Sequence, residues 1–356
     1  MNAESRTERA SGPSSGDTAV RDIRRCVAKF QAPVLRHSLL QVVTSLGGFL
    51  GTCAVMYATV DISYWFVLAL APLAAGFLVR TFIIQHDCGH GSFFRSKRWN
   101  DALGFACSLI TLAPYPSWRR QHAGHHSVWN NLDRRDTGAD IYSSCLTVDE
   151  YRALGPWGRR WYRVSRNPFV ANILIPPFVF LVLYRLPFDM PAGWGGERRA
   201  VYLTDLALVA LFGVLGLALG FDRLLEIQLP VIILAAIVGV WLFTVQHRSE
   251  WTVWARQKDW NAITASLEGS TYLRLPRALQ WFTGNIGLHH VHHLNPKIPN
   301  YRLEGCHEAL LELKDIPVLT FRSALKAMFY VLWDEGQQRL VTFGAESRSR
   351  PLPNPV

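Results

Sequence analysis

The stretch Gly287-Leu-His-His-Val-His-His-Leu-Asn-Pro296 places four imidazoles within five residues, well inside a chain of 356 residues. Burying an imidazole without partners costs about 1–3 kcal/mol, so packing alone does not explain such a run. Neutral imidazole is the commonest side-chain metal ligand, and the run therefore indicates a metal site. On a helix, His289, His292 and His293 occupy positions i, i+3 and i+4 and share one face.

Two further histidine clusters precede this stretch. His122, His125 and His126 repeat the H-x-x-H-H spacing, and His86 and His90 stand four residues apart. The three clusters together take in eight of the 12 histidines, which argues against chance. We therefore expect all three to contribute to one site.

The apolar residues, 49% of the sequence, fall into runs long enough to span a membrane. A hydrocarbon core about 30 Å thick needs about 20 apolar residues in a helix. Such runs cover residues 39–60, 62–84, 200–221 and 230–246. Each consecutive pair predicts a helical hairpin. A shorter apolar segment at residues 101–113 predicts an interfacial helix.

The formal charge of +10 comes mostly from arginine clusters beside these runs, where the positive-inside rule places them. This arrangement favours a membrane protein and disfavours nucleic acid as a partner. The six cysteines show no C-x-x-C spacing, so neither a disulfide framework nor a zinc finger is expected.

The order of the clusters limits the topology. Residues 169–187 are apolar but interrupted by Pro176-Pro177. If all clusters bind one site, an even number of spans must separate the second from the third. We therefore predict four spans with both termini cytosolic, and residues 169–187 as interfacial or re-entrant.

The candidate ligands are too numerous for one zinc ion, whose catalytic sites use three protein ligands. His247, at the same boundary as His86, is a possible ninth member, whereas His290 has no counterpart in the second cluster. The set suits two metal ions with open positions, and iron accepts imidazole ligands. The candidate ligands are His86, His90, His122, His125, His126, His247, His289, His292 and His293.

The clusters carry a resemblance to a known family. His86-Asp-Cys-Gly-His90, His122-Ala-Gly-His-His126 and the third stretch, with its continuation to Tyr301, resemble the three histidine boxes of integral-membrane fatty acid desaturases. The trailing Asn295-Pro-Lys-Ile-Pro-Asn-Tyr301 resembles most closely the delta-12/omega-6 acyl-lipid type of bacteria and plastids. Trp129-Asn-Asn-Leu-Asp133 departs from the pattern of the plant enzymes, and the position of the double bond stays open.

The resemblance implies an all-α integral membrane protein with about four transmembrane helices in two hairpins, interfacial helices and a cytosolic cap carrying a di-iron centre. It implies an oxygen-dependent enzyme that introduces a cis double bond into an acyl chain linked to lipid, CoA or a carrier protein. Ferredoxin or a cytochrome b5-like protein would supply the electrons. The expected location is the bacterial inner membrane, with the active site on the cytosolic face.

Three segments and three orienting residues complete the prediction. Residues 1–36 are expected to be a basic, disordered N-terminus, 37–320 the desaturase domain, and 321–356 a helix and a disordered tail. Asp87, Asn285 and Glu250 are candidates to orient the imidazoles.

Two alternatives remain open from the residues. A membrane di-iron hydroxylase of fatty acids, alkanes or carotenoids would use the same metal site. A non-catalytic membrane protein that binds metal or haem belongs to another class. Transport would place ionisable residues inside the spans, whereas the histidines cluster at the ends of the spans.

Overall fold

A computed structural model describes residues 15–137, 144–312 and 316–346 of the chain, and most of this part is helical. The helices are α1 (Ser15–Ala28), α2 (Leu35–Thr59), α3 (Tyr64–His90), α4 (Lys97–Thr111), α5 (Tyr115–Val128), α6 (Val148–Ala153), α7 (Pro156–Ser165), α8 (Ile175–Leu181), α9 (Gly195–Leu219), α10 (Phe221–Val245), α11 (Ala262–Leu267), α12 (Arg277–Phe282), α13 (His289–Leu294), α14 (Leu303–Leu311), α15 (Phe321–Ala327) and α16 (Phe343–Glu346). Shorter 3-10 turns cover Leu132–Thr137, Leu183–Arg185 and Asn300–Arg302, and a π-helical turn covers Val170–Leu174.

Four helices of the described chain, α2, α3, α9 and α10, are long and apolar enough to cross a membrane. Each has 25 or 27 residues, and a 25-residue helix is about 38 Å long at 1.5 Å per residue. Ser63 caps the start of α3 by accepting a hydrogen bond from the backbone of Trp65. Gly220, with φ of +92°, provides the turn between α9 and α10. The prediction of four spans in two hairpins is confirmed.

Small and branched apolar side chains hold these helices together. Ala71, Ala74 and Ala75 of α3 are buried in a cluster that also contains Met56 of α2 and Val231 of α10. Small residues let helices approach closely within a membrane. Helix α3 therefore occupies the centre of the bundle and carries the first histidine cluster at its end.

The apolar segment is bent before Pro176-Pro177, at residues 166–169, whereas the two prolines expected to interrupt it lie in the first turn of α8. Pro156–Ser165 and Val170–Arg185 meet at an angle of 57°, which fits either a broken span or a re-entrant loop. The histidines before and after this segment lie together, and α9 and α10 already supply two crossings between them. This arrangement agrees with the predicted interfacial or re-entrant path, which stays a prediction because the bend also fits a broken span.

The N-terminal region differs from the prediction. Disorder was expected for residues 1–36, but Ser15–Ala28 forms α1. Ile23 and Val27, one turn apart, are buried against Val291 and Leu303 in one apolar cluster. The Ser- and Arg-rich composition of this segment hid its short apolar stripe. The part of the expectation that concerns residues 1–14 lies outside the described residues.

The C-terminal region also differs from the prediction. The expected helix is present as α15, but two antiparallel strands follow it, β4 (Leu332–Asp334) and β5 (Arg339–Val341). The earlier β1 (Leu146–Thr147) pairs with β4 in parallel, and β2 (Tyr272–Leu273) pairs with β3 (Val318–Leu319). Trp333 of β4 is fully buried, and this anchors strands in a segment whose pattern to about residue 340 was expected to be helical. The expectation of disorder for residues 347–356 lies outside the described residues.

Candidate metal centre

Four helices place the histidines at one end of the bundle. His86 and His90 lie in the last turns of α3, and the second cluster lies in the C-terminal half of α5. His247 follows α10 within two residues, and the third cluster forms α13. The end of α3 is fixed by Gly91, whose φ of +68° is a left-handed conformation that glycine adopts without strain. The helix therefore ends at His90.

A close backbone approach positions the third cluster. The backbone N–H of Leu273 in β2 donates to the carbonyl oxygen of Gly287 at 2.8 Å. A Cβ atom at Gly287 would lie 2.5 Å from the carbonyl oxygen of Leu273, so a larger residue would push the segment away. The glycine therefore lets α13 start directly beside the cap strand.

The structure brings all nine predicted histidines together in two adjacent groups. In each group the candidate ligand atoms lie within 4.8 Å of one another. The first group contains His86, His90, His122, His126 and His292, and the second contains His125, His247 and His293. His289 extends the second group, because its Nε2 lies 2.9 Å from Nε2 of His247. His247 thus joins the site, as the sequence allowed.

The ring nitrogens of these residues point at one another. The short Nε2–Nε2 distances are His126–His292 (2.9 Å), His86–His292 (3.1 Å), His122–His126 (3.2 Å), His125–His247 (3.2 Å) and His125–His293 (3.3 Å). Nε2 of His90 is buried without a hydrogen-bond partner. Converging imidazole lone pairs repel one another unless protons or cations lie between them. The donor set therefore fits two metal ions, one in each group.

Burial favours the neutral form at six of these imidazoles. Seven of the nine are buried, and His90 and His126 are half-buried. Burial, reinforced by neighbouring histidines, lowers the pKa well below its ordinary value at His122, His126, His247, His289, His292 and His293. A neutral imidazole has a free lone pair for a metal ion, whereas a protonated one has none. The environment therefore favours the metal-binding form.

Asp87 is the predicted orienting residue that does contact the cluster. Its Oδ1 lies 3.0 Å from Nδ1 of His86. Its Oδ2 accepts hydrogen bonds from the backbone and the side-chain amide of Asn300, at 2.8 and 2.9 Å. Gln41 of α2 in turn donates to Asn300 at 2.7 Å. This buried chain holds Nε2 of His86 towards the other histidines.

The other two orienting candidates do not touch the cluster. Asn285 donates to the carbonyl oxygen of Asn300 at 3.2 Å. It therefore contacts a residue that supports Asp87 and not the histidines themselves. The carboxylate of Glu250 bonds instead to Arg339 at 2.8 Å and to Tyr330 at 3.1 Å. Its nearness in sequence to His247 was misleading, because the chain turns away from the cluster after that residue.

His290 lies outside both groups, as expected. Its Nε2 is 3.1 Å from Nδ1 of His307. Burial, with His307 as a neighbour, lowers the pKa of His290 to about 3. The pair therefore serves as a buried neutral contact between α13 and α14.

Sequence reasoning missed the aromatic residues around the cluster. Trp118 stacks on His122 with ring centroids 4.7 Å apart, and Trp129 lies 3.9 Å from His247. Trp118 precedes His122 by four residues and Trp129 follows His125 by four, so helical spacing was an available signal. These rings shield the histidines from water.

An apolar cavity of about 400 Å³ ends at the histidine cluster. His86, His122 and His289 form part of its wall. Its lining follows α10 from Ile232 to Gln246, about 21 Å at 1.5 Å per residue. Side chains of α3, α5 and α8 complete the wall. The cavity has the shape and polarity to hold a long hydrocarbon chain beside the two groups.

Comparison with known proteins points the same way. The sequence model described as fatty acid desaturase matches residues 63–321, which include all nine histidines. A fatty acid desaturase of Bacillus subtilis is 43% identical over 325 residues, covering 91% of each chain. An sn-1 acyl-lipid omega-3 desaturase (ferredoxin) of Synechocystis is 30% identical over 285 residues, covering 76% of this chain and 75% of its own. An sn-1 oleoyl-lipid 12-desaturase of the same organism is 29% identical over 284 residues, covering 74% of each chain.

Proposed function

The chain belongs to the fatty acid desaturase family, and from this premise we propose that it uses O2 and two iron ions to introduce a cis double bond into an acyl chain. The observation that carries the proposal is the apolar cavity, because it ends against His86, His122 and His289. Hydrocarbon bound there lies next to the residues that hold the metal. A hydrocarbon substrate by itself accounts for the apolar wall of the cavity.

The nine histidines are proposed as the iron ligands, with one ion in each group. Soft thiolates and carboxylates are absent from both groups, and imidazole suits iron among the transition metals. When bound, the iron pair would supply the O2-dependent oxidation of an unactivated C–H bond, for which amino-acid side chains have no equivalent. Asp87 accepts a hydrogen bond from Nδ1–H of His86, so that Nε2 is the free ligand atom.

The protein's own contribution is to position the chain and exclude water. Phe243 of α10 lines the cavity. Its ring centroid lies 5.1 Å from that of His125 and 5.2 Å from that of His247. Polar groups line another part of the wall, where Gln121 donates to Asp189 at 3.2 Å. We propose that the hydrocarbon follows α10 and that the polar head of the substrate stays near this pair.

The reaction requires an electron source. Removal of two vicinal hydrogens with O2 consumes two electrons and two protons and releases two water molecules. The name of the Synechocystis omega-3 relative specifies ferredoxin. We propose ferredoxin, or a cytochrome b5-like protein, as the donor for this chain.

The distribution of charge supports a cytosolic active site in a bacterial inner membrane. Basic residues precede α2 at positions 21–36 and follow α3 at 95–98, both on the histidine side of the bundle. The turn between α2 and α3 at 60–63 has none. Positive residues concentrate on the cytosolic side of membrane proteins.

The test is expression in a host whose lipids lack the product, followed by mass spectrometry of total fatty acids. We expect new double bonds, whose position the fragmentation assigns, and their loss in a His122→Ala variant. The matched control is His37→Ala, an exposed histidine beside Tyr301 outside both groups. Hydroxylated fatty acids without any unsaturated product would overturn the proposal in favour of a hydroxylase.

A further inference from the structure

A second cavity reaches the histidines from the side opposite the apolar one. Its volume is about 310 Å³, and it is called the cap cavity below. His126 of the first group and His293 of the second both line it. Their rings stack with centroids 4.3 Å apart. The cap cavity therefore touches both candidate metal positions at once.

Helix α1 and two tryptophans form much of its wall. Ile23 and Val27 pack α1 onto the cap, while Arg24 borders the cavity. The indole N–H of Trp260 donates to the carbonyl oxygen of Trp129 at 2.8 Å. Trp260 is half-buried and Trp129 is buried against His247. Aromatic surface thus continues from the outer edge of the cavity to the histidines.

Arg24 lines the cap cavity, and four further exposed cations lie near it in sequence, three of them on or just after α1 and one two residues after the lining residue Asn295. Arg21, Arg24 and Arg25 stand at i, i+3 and i+4 on α1, with Lys29 one turn further and Lys297 beside the third cluster. These five residues are called the basic rim. Within the described ranges none of them forms a salt bridge, whereas Arg119, Arg152 and Arg256 elsewhere in the chain each do.

The rim carries a clear excess of positive charge. Asp22 is the sole acidic residue between positions 21 and 29. Unpaired cations around a concave, partly apolar opening attract an acidic partner and raise its association rate. A bare lipid surface would explain the cations on α1 but not the adjoining opening to His126 and His293.

We propose that the basic rim docks a small acidic protein that carries one electron at a time in an iron–sulfur cluster or a haem. The inference rests on the proposed function, since an O2-dependent oxidation needs such a donor. In each encounter the donor would be oxidised by one electron, which the iron pair would accept when held by the histidines. Two encounters supply both electrons of the reaction, and solvent supplies the two protons that leave in water.

The test measures binding directly and does not depend on turnover. The full chain in nanodiscs of zwitterionic, net-neutral phosphatidylcholine is titrated with an acidic plant-type [2Fe–2S] ferredoxin by surface plasmon resonance. We expect the Kd to weaken about tenfold in an Arg24→Glu/Arg25→Glu variant and to weaken as salt rises. Lys297→Glu, on a different element, should weaken the Kd in the same direction.

The matched control reverses two exposed cations on the same side of the bundle but away from the cap cavity. Arg95→Glu/Arg98→Glu changes the net charge equally and should leave the Kd within about twofold. Equal weakening in both double variants would overturn the proposal, because it would show only a general charge effect. Ferredoxin binding unaffected by the rim variants would also overturn it. So would rim variants that lose binding to phosphatidylglycerol vesicles alone, which would make the rim a lipid anchor.

Folding of the variants is checked by their thermal melting and by gel filtration. Failure of the proposed function gives a different result, namely normal ferredoxin binding with no unsaturated fatty acid. The rim variants should also lose ferredoxin binding but still desaturate acyl chains when a reduced chemical mediator supplies the electrons. This result would support a role of the rim in docking and not in the chemistry.

Discussion

The membrane side and the cap side of the histidine cluster differ in polarity and in charge. On the membrane side, the cavity of about 400 Å³ is walled by long apolar helices and by Phe82, Phe180 and Phe243. On the cap side, the cavity of about 310 Å³ lies among short helices and carries exposed cations at its edge. The histidine cluster thus borders two cavities of different polarity. In the proposed function, the hydrocarbon substrate and the water-soluble electron donor would approach the cluster by separate routes.

The two sides are also held together differently. Apolar contacts between α2, α3 and α10 stabilise the membrane side. The cap adds ion pairs between its loops, such as Arg135 with Glu150 and Arg256 with Glu335. Perturbing the centre, either cavity or a cap ion pair should therefore give separable results.

The largest effect is expected at the centre that both sides share. Nε2 of His292 contacts Nε2 of His86, which lines the apolar cavity, and Nε2 of His126, which lines the cap cavity. His292→Ala should lower iron content and desaturation together, by more than about 100-fold in activity, because loss of even an outer-shell partner costs 10–100-fold. Iron is measured by mass spectrometry of the purified protein. His290→Ala, also buried but paired with His307, should retain its iron; iron retained in both variants would remove His292 from the site.

A smaller effect is expected at Asp87, which positions the His86 imidazole. Asp87→Asn keeps the shape of the side chain but removes the charge that faces Nδ1 of His86. Iron affinity should fall by about 10- to 100-fold, measured by competition with a chelator. The control is Glu250→Gln, whose carboxylate binds Arg339 at the surface. An equal loss in the two variants would show that Asp87 has no particular role at His86.

The membrane side alone should respond to filling its cavity. Gly239 lines the apolar cavity, and a Cβ atom built there meets nothing within 4 Å. Gly239→Leu should therefore lower turnover of long acyl chains about tenfold relative to shorter ones, while iron content and ferredoxin binding stay unchanged. Gly47→Leu on α2, where an added Cβ also meets nothing, is the control. Unchanged chain-length preference would show that the acyl chain does not follow α10.

The smallest effect is expected in the stability of the cap. Burial raises the pKa of Glu150, but hydrogen bonds from Arg135 and from the backbone of Thr147 outweigh it, so that the pKa lies below its ordinary value. A carboxyl whose pKa is depressed by folding stabilises the fold above its unfolded pKa, about 4.3, and this contribution is lost as pH falls through the folded pKa. Glu150→Gln should cost about 1 kcal/mol at pH 7 and less at pH 3, measured as thermal melting.

The matched control for this measurement is Asp259→Asn. Asp259 is an exposed carboxylate 4.0 Å from Lys258, and its removal should leave the melting temperature nearly unchanged at both pH values. A Glu150→Gln variant that loses equal stability at pH 3 and pH 7 would show that the ionised carboxyl is not what stabilises the cap.

The sequence was sufficient wherever a local pattern carries the information. The four spans follow from apolar length. The bend was expected at Pro176-Pro177 but lies at residues 166–169, because the first turn of a helix tolerates proline. The family follows from the spacing of the histidines and is confirmed by the matching relatives. Local spacing failed for α1, because Ile23 and Val27 are a weak stripe that becomes apolar core only against α14 and its neighbours.

Contacts between residues that are distant in sequence could not be predicted without the fold. Asn300 supports His86 through Asp87 across more than 200 positions, and no spacing rule connects them. The nearness of Glu250 to His247 in sequence suggested a contact that the chain path prevents.

The sequence by itself determined that this protein crosses a membrane and gathers histidines at one end of its spans, because helical length and i, i+3, i+4 spacing are local properties. Only the tertiary structure decided how those histidines divide into two groups and which members of the groups line each cavity. That division depends on how α3, α5, α10 and α13 meet, and such meetings are set by packing between distant segments. The apolar cavity along α10 and the basic rim on α1 arise in the same way, from faces that no single stretch of the chain contains.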